Sequence, residues 1–424
     1  MKVLGMEAEK GRWVLVLLGM VINLCLGSIY SWSVFVTPLT NYFVNTLGQN
    51  VTANDVLLPF SVFLAFFAIA MPLTGRFIES HGPRKVTIAG GILTGLGWLL
   101  ASFVTLMPDR SLALPMLYVV YGVIGGIGVG VAYGVPVAVA ARWFPDRRGL
   151  AVGLALLGFG FSAFFTANVA GWLIGAYGVM STFRIFGIAF LVLIVLLALP
   201  LTFPPKDWKP AGWTPPAPKP GEAVCEMNRG QMVRTTAFYG LWVCYFIGCL
   251  AGLMAIGIAK PVGTEVVHID SALATMLVGF FAIFNGGGRP VFGSLTDRLN
   301  PRNTALISFV LIALASLLMW QVPTVPVYII AFALLWGCLG GWLAIAPTGC
   351  ASYFGTCDYP RCYGVLFLAY GAGAIAGPQL AGFIRTSTGS YIGVFPYVAI
   401  LAAIGFIVAL VLVKPPRMPE GPAR

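Results

Sequence analysis

One arginine of this chain stands where an arginine is costly. Arg289 interrupts an apolar stretch near 271 to 296, about eight residues or roughly 12 Å of helix before the next charged turn at Asp297. At bilayer depth such a charge costs roughly 2.5 to 3.5 kcal/mol on insertion scales, so its presence needs a reason. A guanidinium keeps its proton and offers a planar fork that fits a carboxylate through two parallel hydrogen bonds. We read Arg289 as an anchor for a small organic anion. The competing reading is a structural arginine held by backbone carbonyls and water, or one that partly snorkels. Asn285 lies one helical turn earlier on the same face, where its amide could bind a carboxylate, orient Arg289 or join two helices. Pro290 and the glycines at 286 to 288 loosen this segment, for bending or for close packing.

Little else in the chain can do chemistry. None of the 14 acidic residues falls inside an apolar run: Glu79, Asp146, Asp297 and Asp358 belong to turns on one side, and Asp55, Asp109, Glu265 and Asp270 to helix ends on the other. Both histidines, His81 and His268, are in loops, so the buried proton relay of many proton-driven carriers is missing. The eight cysteines show no paired spacing, and several sit in apolar runs as small hydrophobes. No disulfide framework, metal site or cofactor is expected, and no nucleophile and base pair marks an enzyme.

The elements that position Arg289 are set by composition. Of 424 residues 59% are hydrophobic and 9% charged, against about 25% charged in soluble domains, which excludes a soluble enzyme. The net charge of +11 raises nucleic acid as a partner, but the basic residues fall between apolar runs, and none is expected. The run from Trp13 to about Leu39 is too long for the core of a cleaved signal peptide and is expected to remain as the first span. Twelve runs long enough to cross a bilayer follow from about 13 to 413, six before and six after the proline-rich stretch 204–234. This predicts an all-α membrane protein: a six-helix bundle over 1–203, a hydrated cytosolic linker over 204–234, and a second bundle over 235–424. With both termini cytosolic, about 20 basic residues lie inside and about four outside, as the positive-inside rule requires. We expect a multi-pass protein of the inner (plasma) membrane, and a monomer.

The halves repeat. Gly75-Arg-Phe-Ile-Glu79-Ser-His-Gly82-Pro-Arg84-Lys85 after the second run is echoed by Gly293-Ser-Leu-Thr-Asp297-Arg298-Leu-Asn300-Pro-Arg302 after the eighth. Trp143-Phe-Pro-Asp-Arg-Arg-Gly149 before the fifth is echoed by Tyr353-Phe354 through Arg361 and Gly364. Two related bundles of this kind can rock about a central site. The first turn resembles the signature of the major facilitator superfamily, and its echo is looser, with Asn300 where a second glycine is usual. Gly27-Ser-Ile-Tyr30-Ser-Trp32-Ser33, the Trp143 to Gly149 turn and Asn285-Gly-Gly-Gly-Arg289-Pro290 are similar to the oxalate/formate antiporter family and its monocarboxylate-transporting relatives. The resemblance covers nearly the whole chain.

That resemblance implies twelve helices in two pseudo-symmetric bundles, a central site at Arg289, and a cavity lined by spans one, four, seven and ten. Tyr30, Tyr133, Tyr370 and Trp32 are candidates to complete the site with hydroxyls and an apolar wall, with packing as the alternative for each and Trp336 and Trp342 as lesser candidates. Glu79 with Arg84, and Asp297 with Arg298, are candidate gating contacts, against plain solvated turns. One fixed cation matches one monocarboxylate, whereas a dianion would leave a negative charge uncompensated. Family members that carry oxalate have a lysine in span eleven, and here Tyr370 takes that position. We therefore expect a secondary transporter of lactate, pyruvate or formate type, with proton symport or anion exchange both fitting the residues. The alternatives are an oxalate/formate-type antiporter and a carboxylate receptor without flux.

Overall fold

The computed structural model describes residues 2–3, 5–205, 208–212, 227–355 and 358–416. Most of the linker, at 206–207 and 213–226, and the tail from 417 lie outside them, as do Cys225 and Cys357. The six cysteines within the described residues are free thiols.

Ten continuous helices among the described residues are long and apolar enough to cross a membrane. Two of them, Asn54–Ala101 with 48 residues and Ser271–Gln321 with 51, are twice the length needed, since about 20 residues span a bilayer. Each breaks midway at the repeated turn, at Gly82 (φ 79°, ψ 166°) and at Asn300 (φ 75°, ψ 161°). A proline follows each break and opens the next helix, because its fixed φ suits a first helical position and that position needs no N–H. Among the described residues there are therefore twelve spans: α1 (8–41), α2 (53–81), α3 (83–101), α4 (113–143), α5 (Arg148–Tyr177), α6 (Val179–Ala198), α7 (Thr236–Pro261), α8 (271–299), α9 (301–321), α10 (Val325–Phe354), α11 (Tyr359–Thr388) and α12 (Val394–Leu412).

The Asn300 backbone lies in a region that only glycine enters freely, at a cost of about 1 to 3 kcal/mol. Its carboxamide offsets part of that by accepting from the Asn303 N–H at 3.0 Å, as a helix cap. Asn300→Gly should therefore leave the melting temperature equal or higher, whereas Asn300→Ala, which keeps the strain and loses the cap, should lower it. Thermal unfolding in detergent reads both.

Helices α1 to α6 form one bundle and α7 to α12 the other, and the bundles meet where α2 packs on α11 and α5 on α8. Missing side chains permit the approach: a Cβ at Gly371 would lie 2.7 Å from that of Ala68, and one at Gly171 would lie 2.7 Å from the Thr275 methyl. On the face away from the termini the seam is shut. Residues 25–36 of α1 and 247–261 of α7 are buried without interruption, and the outer part of α1, Ser33–Asn41, packs on α7. Toward the termini the packing loosens. A Cβ at Gly130 would stand 2.6 Å from that of Ala70, while one at Gly134, Gly149 or Gly153 would meet no atom within 4 Å.

Candidate functional site

Arg289 reaches from α8 across the seam and is 8% exposed. Its Nη1 donates to the Leu156 carbonyl of α5 at 2.8 Å, which ties the guanidinium to the opposite bundle. Nε and Nη2 are buried and make no hydrogen bond within 3.5 Å, while the Tyr133 hydroxyl comes near enough to interact with the guanidinium. These two nitrogens form one edge of the guanidinium, the edge that takes a carboxylate through two parallel bonds. An unsatisfied buried donor costs about 1 to 3 kcal/mol, so this edge is set to gain from an acceptor. Gly160 makes room for it: a Cβ there would stand 3.2 Å from Nε and 2.9 Å from the Asn285 Oδ1.

Aromatic rings close the space around the guanidinium. The Phe159 ring lies 6.0 Å from its central carbon and meets Tyr30 at 5.1 Å and Tyr133 at 5.0 Å, both edge-on. Phe67 of α2 joins Tyr133 at 5.1 Å to Phe367 at 5.6 Å and Tyr370 at 5.7 Å on α11. The hydroxyls of Tyr30 and Tyr370 bond to each other at 2.9 Å, a direct link between α1 and α11 across the seam. Tyr133 and Tyr30 lie close enough for the Arg289 charge to act on their hydroxyls. One cation with a free edge, phenolic hydroxyls and apolar ring faces can hold a small carboxylate with a short apolar or oxygenated remainder.

Tyr30 and Tyr133 thus come together with Arg289, Tyr370 joins them through the Tyr30 hydroxyl, and Trp32 does not. Trp32 stacks on Tyr121 at 4.7 Å inside the first bundle and donates its indole N–H to the Val56 carbonyl at 3.1 Å, so it is a packing residue. Asn285 sits beside Arg289, but its amide N–H donates to the Trp336 carbonyl at 3.2 Å and joins α8 to α10, leaving Oδ1 without a partner. Phe67, Phe159 and Phe367 were invisible as site residues, three among 30 phenylalanines with no polar atom to single them out. The Leu156 carbonyl could not have been found from residue type at all.

The Major Facilitator Superfamily model matches residues 21–259 and 241–424. The chain belongs to that superfamily. It is a multi-pass membrane transporter and not an enzyme. It is similar to the oxalate:formate antiporter of Oxalobacter formigenes, 28% identical over 415 residues that cover 96% of this chain and 92% of that one. It is also similar to monocarboxylate transporter 13 of Bos taurus, 28% identical over 363 residues covering 82% and 79%. Among solved structures it superposes on the inward open conformation of the xylose transporter XylE from E. coli with a TM-score of 0.70 at 15% identity, covering 97% of both chains.

The signature turns of this superfamily member are wired differently from the expected gating pairs. Glu79 pairs with Arg142 at the end of α4, not with Arg84. Both partners are largely exposed, 64% and 40%, so the pair contributes at most about 1 kcal/mol. Among the described residues Arg84, Asp297 and Arg298 make no ion pair. The buried contact on this face is another one: Arg12 grips Asp146 through two hydrogen bonds of 2.7 and 3.1 Å and donates to the Trp143 carbonyl at 3.2 Å.

Burial pushes the Asp146 carboxyl up, but the Arg12 hydrogen bonds and the nearby Arg147 outweigh it and hold the group below its ordinary value. A depressed carboxylate contributes stability that is present above its unfolded value and is lost as pH falls through the lower folded value. Wild type should lose this contribution only below about pH 4. Asp146→Asn should cost about 1 to 2 kcal/mol at neutral pH, because Arg12 keeps its 2.6 Å pair with Glu9 and loses only the charge assistance of its bonds to Asp146, and the gap should narrow in acid. Melting curves of both proteins between neutral and acidic pH measure this.

Proposed function

We propose that the chain carries small monocarboxylates of the lactate, pyruvate or formate kind by alternating access, with its two bundles, 1–203 and 235–424, rocking about Arg289. The observation that carries this reading is the free Nε and Nη2 edge of Arg289, buried in a ring-lined space whose other polar groups are uncharged hydroxyls and an amide. A monoanion neutralises that single cation, whereas a dianion would bring a second charge with no partner. Similarity to an oxalate:formate antiporter and to a monocarboxylate transporter supports the carboxylate. Tyr370, bonded to Tyr30 where oxalate carriers of the family place a lysine, supports the single charge. The receptor reading is less well supported, because relatives covering most of this chain are named as transporters.

We place the face with the termini in the cytosol, on the distribution of basic residues, and the protein in the plasma (inner) membrane. The ring-lined space has no Asp, Glu or His among its described residues, so a co-transported proton would ride on the substrate carboxylate. Exchange of two anions is the second reading, favoured by the likeness to an antiporter. Uptake of labelled lactate, formate and oxalate into proteoliposomes, with and without a pH gradient, tests both levels. Saturable uptake of the monocarboxylates alone is expected. Oxalate as the better cargo would overturn the proposal, and lactate uptake that ignores the gradient but needs an internal anion would select exchange.

A further inference from the structure

The shut outer face of the seam still holds a polar cavity of about 380 Å³. Both bundles build its walls: Thr37 and Thr40 of α1 and Thr52, the cap of α2, on one side, and Glu265, Arg385 and Tyr391 on the other. A space walled by both bundles changes shape when they rock. The Arg385 Nε donates to the Glu265 Oε2 at 2.7 Å, which joins the outer end of α11 to the turn that follows α7. The guanidinium carbon lies 5.9 Å from the ring of the buried Tyr391. Among the described residues Nη1 and Nη2 make no hydrogen bond, so that end of the guanidinium keeps its donors for a carboxylate.

This cavity and the Arg289 cage lie at the two ends of one stripe. Tyr370 and Arg385 are both on α11, about four turns or roughly 22 Å apart. Ala374, Pro378 and Ala381 fall on the same side of the helix between them, all buried and none with a long side chain. On α1, Tyr30 lies about two turns inward of the cavity-lining Thr37. The Tyr30 and Tyr370 hydroxyls meet at 2.9 Å, so the stripes of the two helices converge on the cage.

We propose that this cavity is the outer docking site for the carboxylate cargo, received by Nη1 and Nη2 of Arg385, with Glu265 as the positioning residue that holds the guanidinium by Nε. The proposal rests on the carboxylate-carrier reading. When the bundles part on the outer side, the cavity becomes the mouth of the passage along α1 and α11 to Arg289. Glu265 already balances the Arg385 charge, and the two side chains are 35% and 33% exposed, so the hold is weak and screened by water. A weak hold suits a mouth, which has to release its cargo inward. The same glutamate repels a second carboxylate and so disfavours a dianion before it reaches Arg289.

Side-specific kinetics test it, with labelled lactate presented to one face at a time in oriented proteoliposomes, for wild type, Arg385→Gln and Glu265→Gln. Arg385→Gln should raise KM for entry from the outer face about fivefold, the loss of one charge-assisted contact at a partly exposed site, and leave KM from the terminal face within about twofold. Glu265→Gln should leave outer-face KM at or below the wild-type value, because its amide oxygen can still accept from Nε and the competing charge is gone. The terminal-face KM doubles as the check that each variant is folded. If both variants raise outer-face KM, the pair is a brace between α7 and α11 and the docking site is overturned. Equal changes on both faces, or no change in Arg385→Gln, would overturn it too, and each of these results leaves the carrier reading intact. A wild type that moves no carboxylate from either face would overturn both.

Discussion

Arg289→Gln should abolish saturable lactate uptake, and Arg289→Lys should weaken it by about a hundredfold or more. The free edge of the guanidinium supplies two charge-assisted hydrogen bonds, each about 1.5 to 3 kcal/mol, so their loss removes at least ~3 kcal/mol of binding. Lysine keeps the charge but not the geometry. Its ammonium cannot hold the Leu156 carbonyl and a carboxylate fork at once, and the link from α8 to α5 goes with the fork. Initial-rate uptake in proteoliposomes, normalised to reconstituted protein, gives both values. A lysine variant with near wild-type KM would mean that the guanidinium serves helix packing rather than cargo.

Tyr370→Lys should change which valence the site accepts. The new ammonium would enter a ring-lined space next to Phe67, Phe367 and Tyr30, within the same enclosure as Arg289. Two cations in one poorly hydrated site repel each other unless an anion of matching charge sits between them. Monocarboxylate KM should therefore rise by about tenfold or more, and oxalate uptake, at background in wild type, should become measurable. Tyr370→Phe is the control, since it removes only the hydroxyl bond to Tyr30, about 1 kcal/mol, and should not admit oxalate. If Tyr370→Phe and Tyr370→Lys gain oxalate equally, the barrier to dianions is the Tyr30 to Tyr370 link and not charge count.

The fold was legible because a bilayer imposes a length rule that apolar runs obey. Even the two double-length helices divide where Gly82-Pro83 and Asn300-Pro301 were visible as repeated turns. Arg289 was equally plain, since a charge in an apolar run is its own signal. What could not be read was which tyrosines converge. Tyr30 and Trp32 are two residues apart on α1 and so point to opposite sides of the helix, one to Arg289 and the other into the first bundle, and which side meets the site is set by packing against distant elements. The partners of charged turn residues were also hidden, because Glu79 to Arg142 and Arg12 to Asp146 join positions far apart in the chain.

The most direct test is equilibrium binding of labelled lactate and oxalate to the purified protein, in wild type and Arg289→Gln. One lactate per chain should bind to wild type and none measurably to the variant, with oxalate at least about tenfold weaker than lactate in wild type. Lactate binding that survives the loss of the guanidinium, or oxalate held more tightly than lactate, would contradict the account.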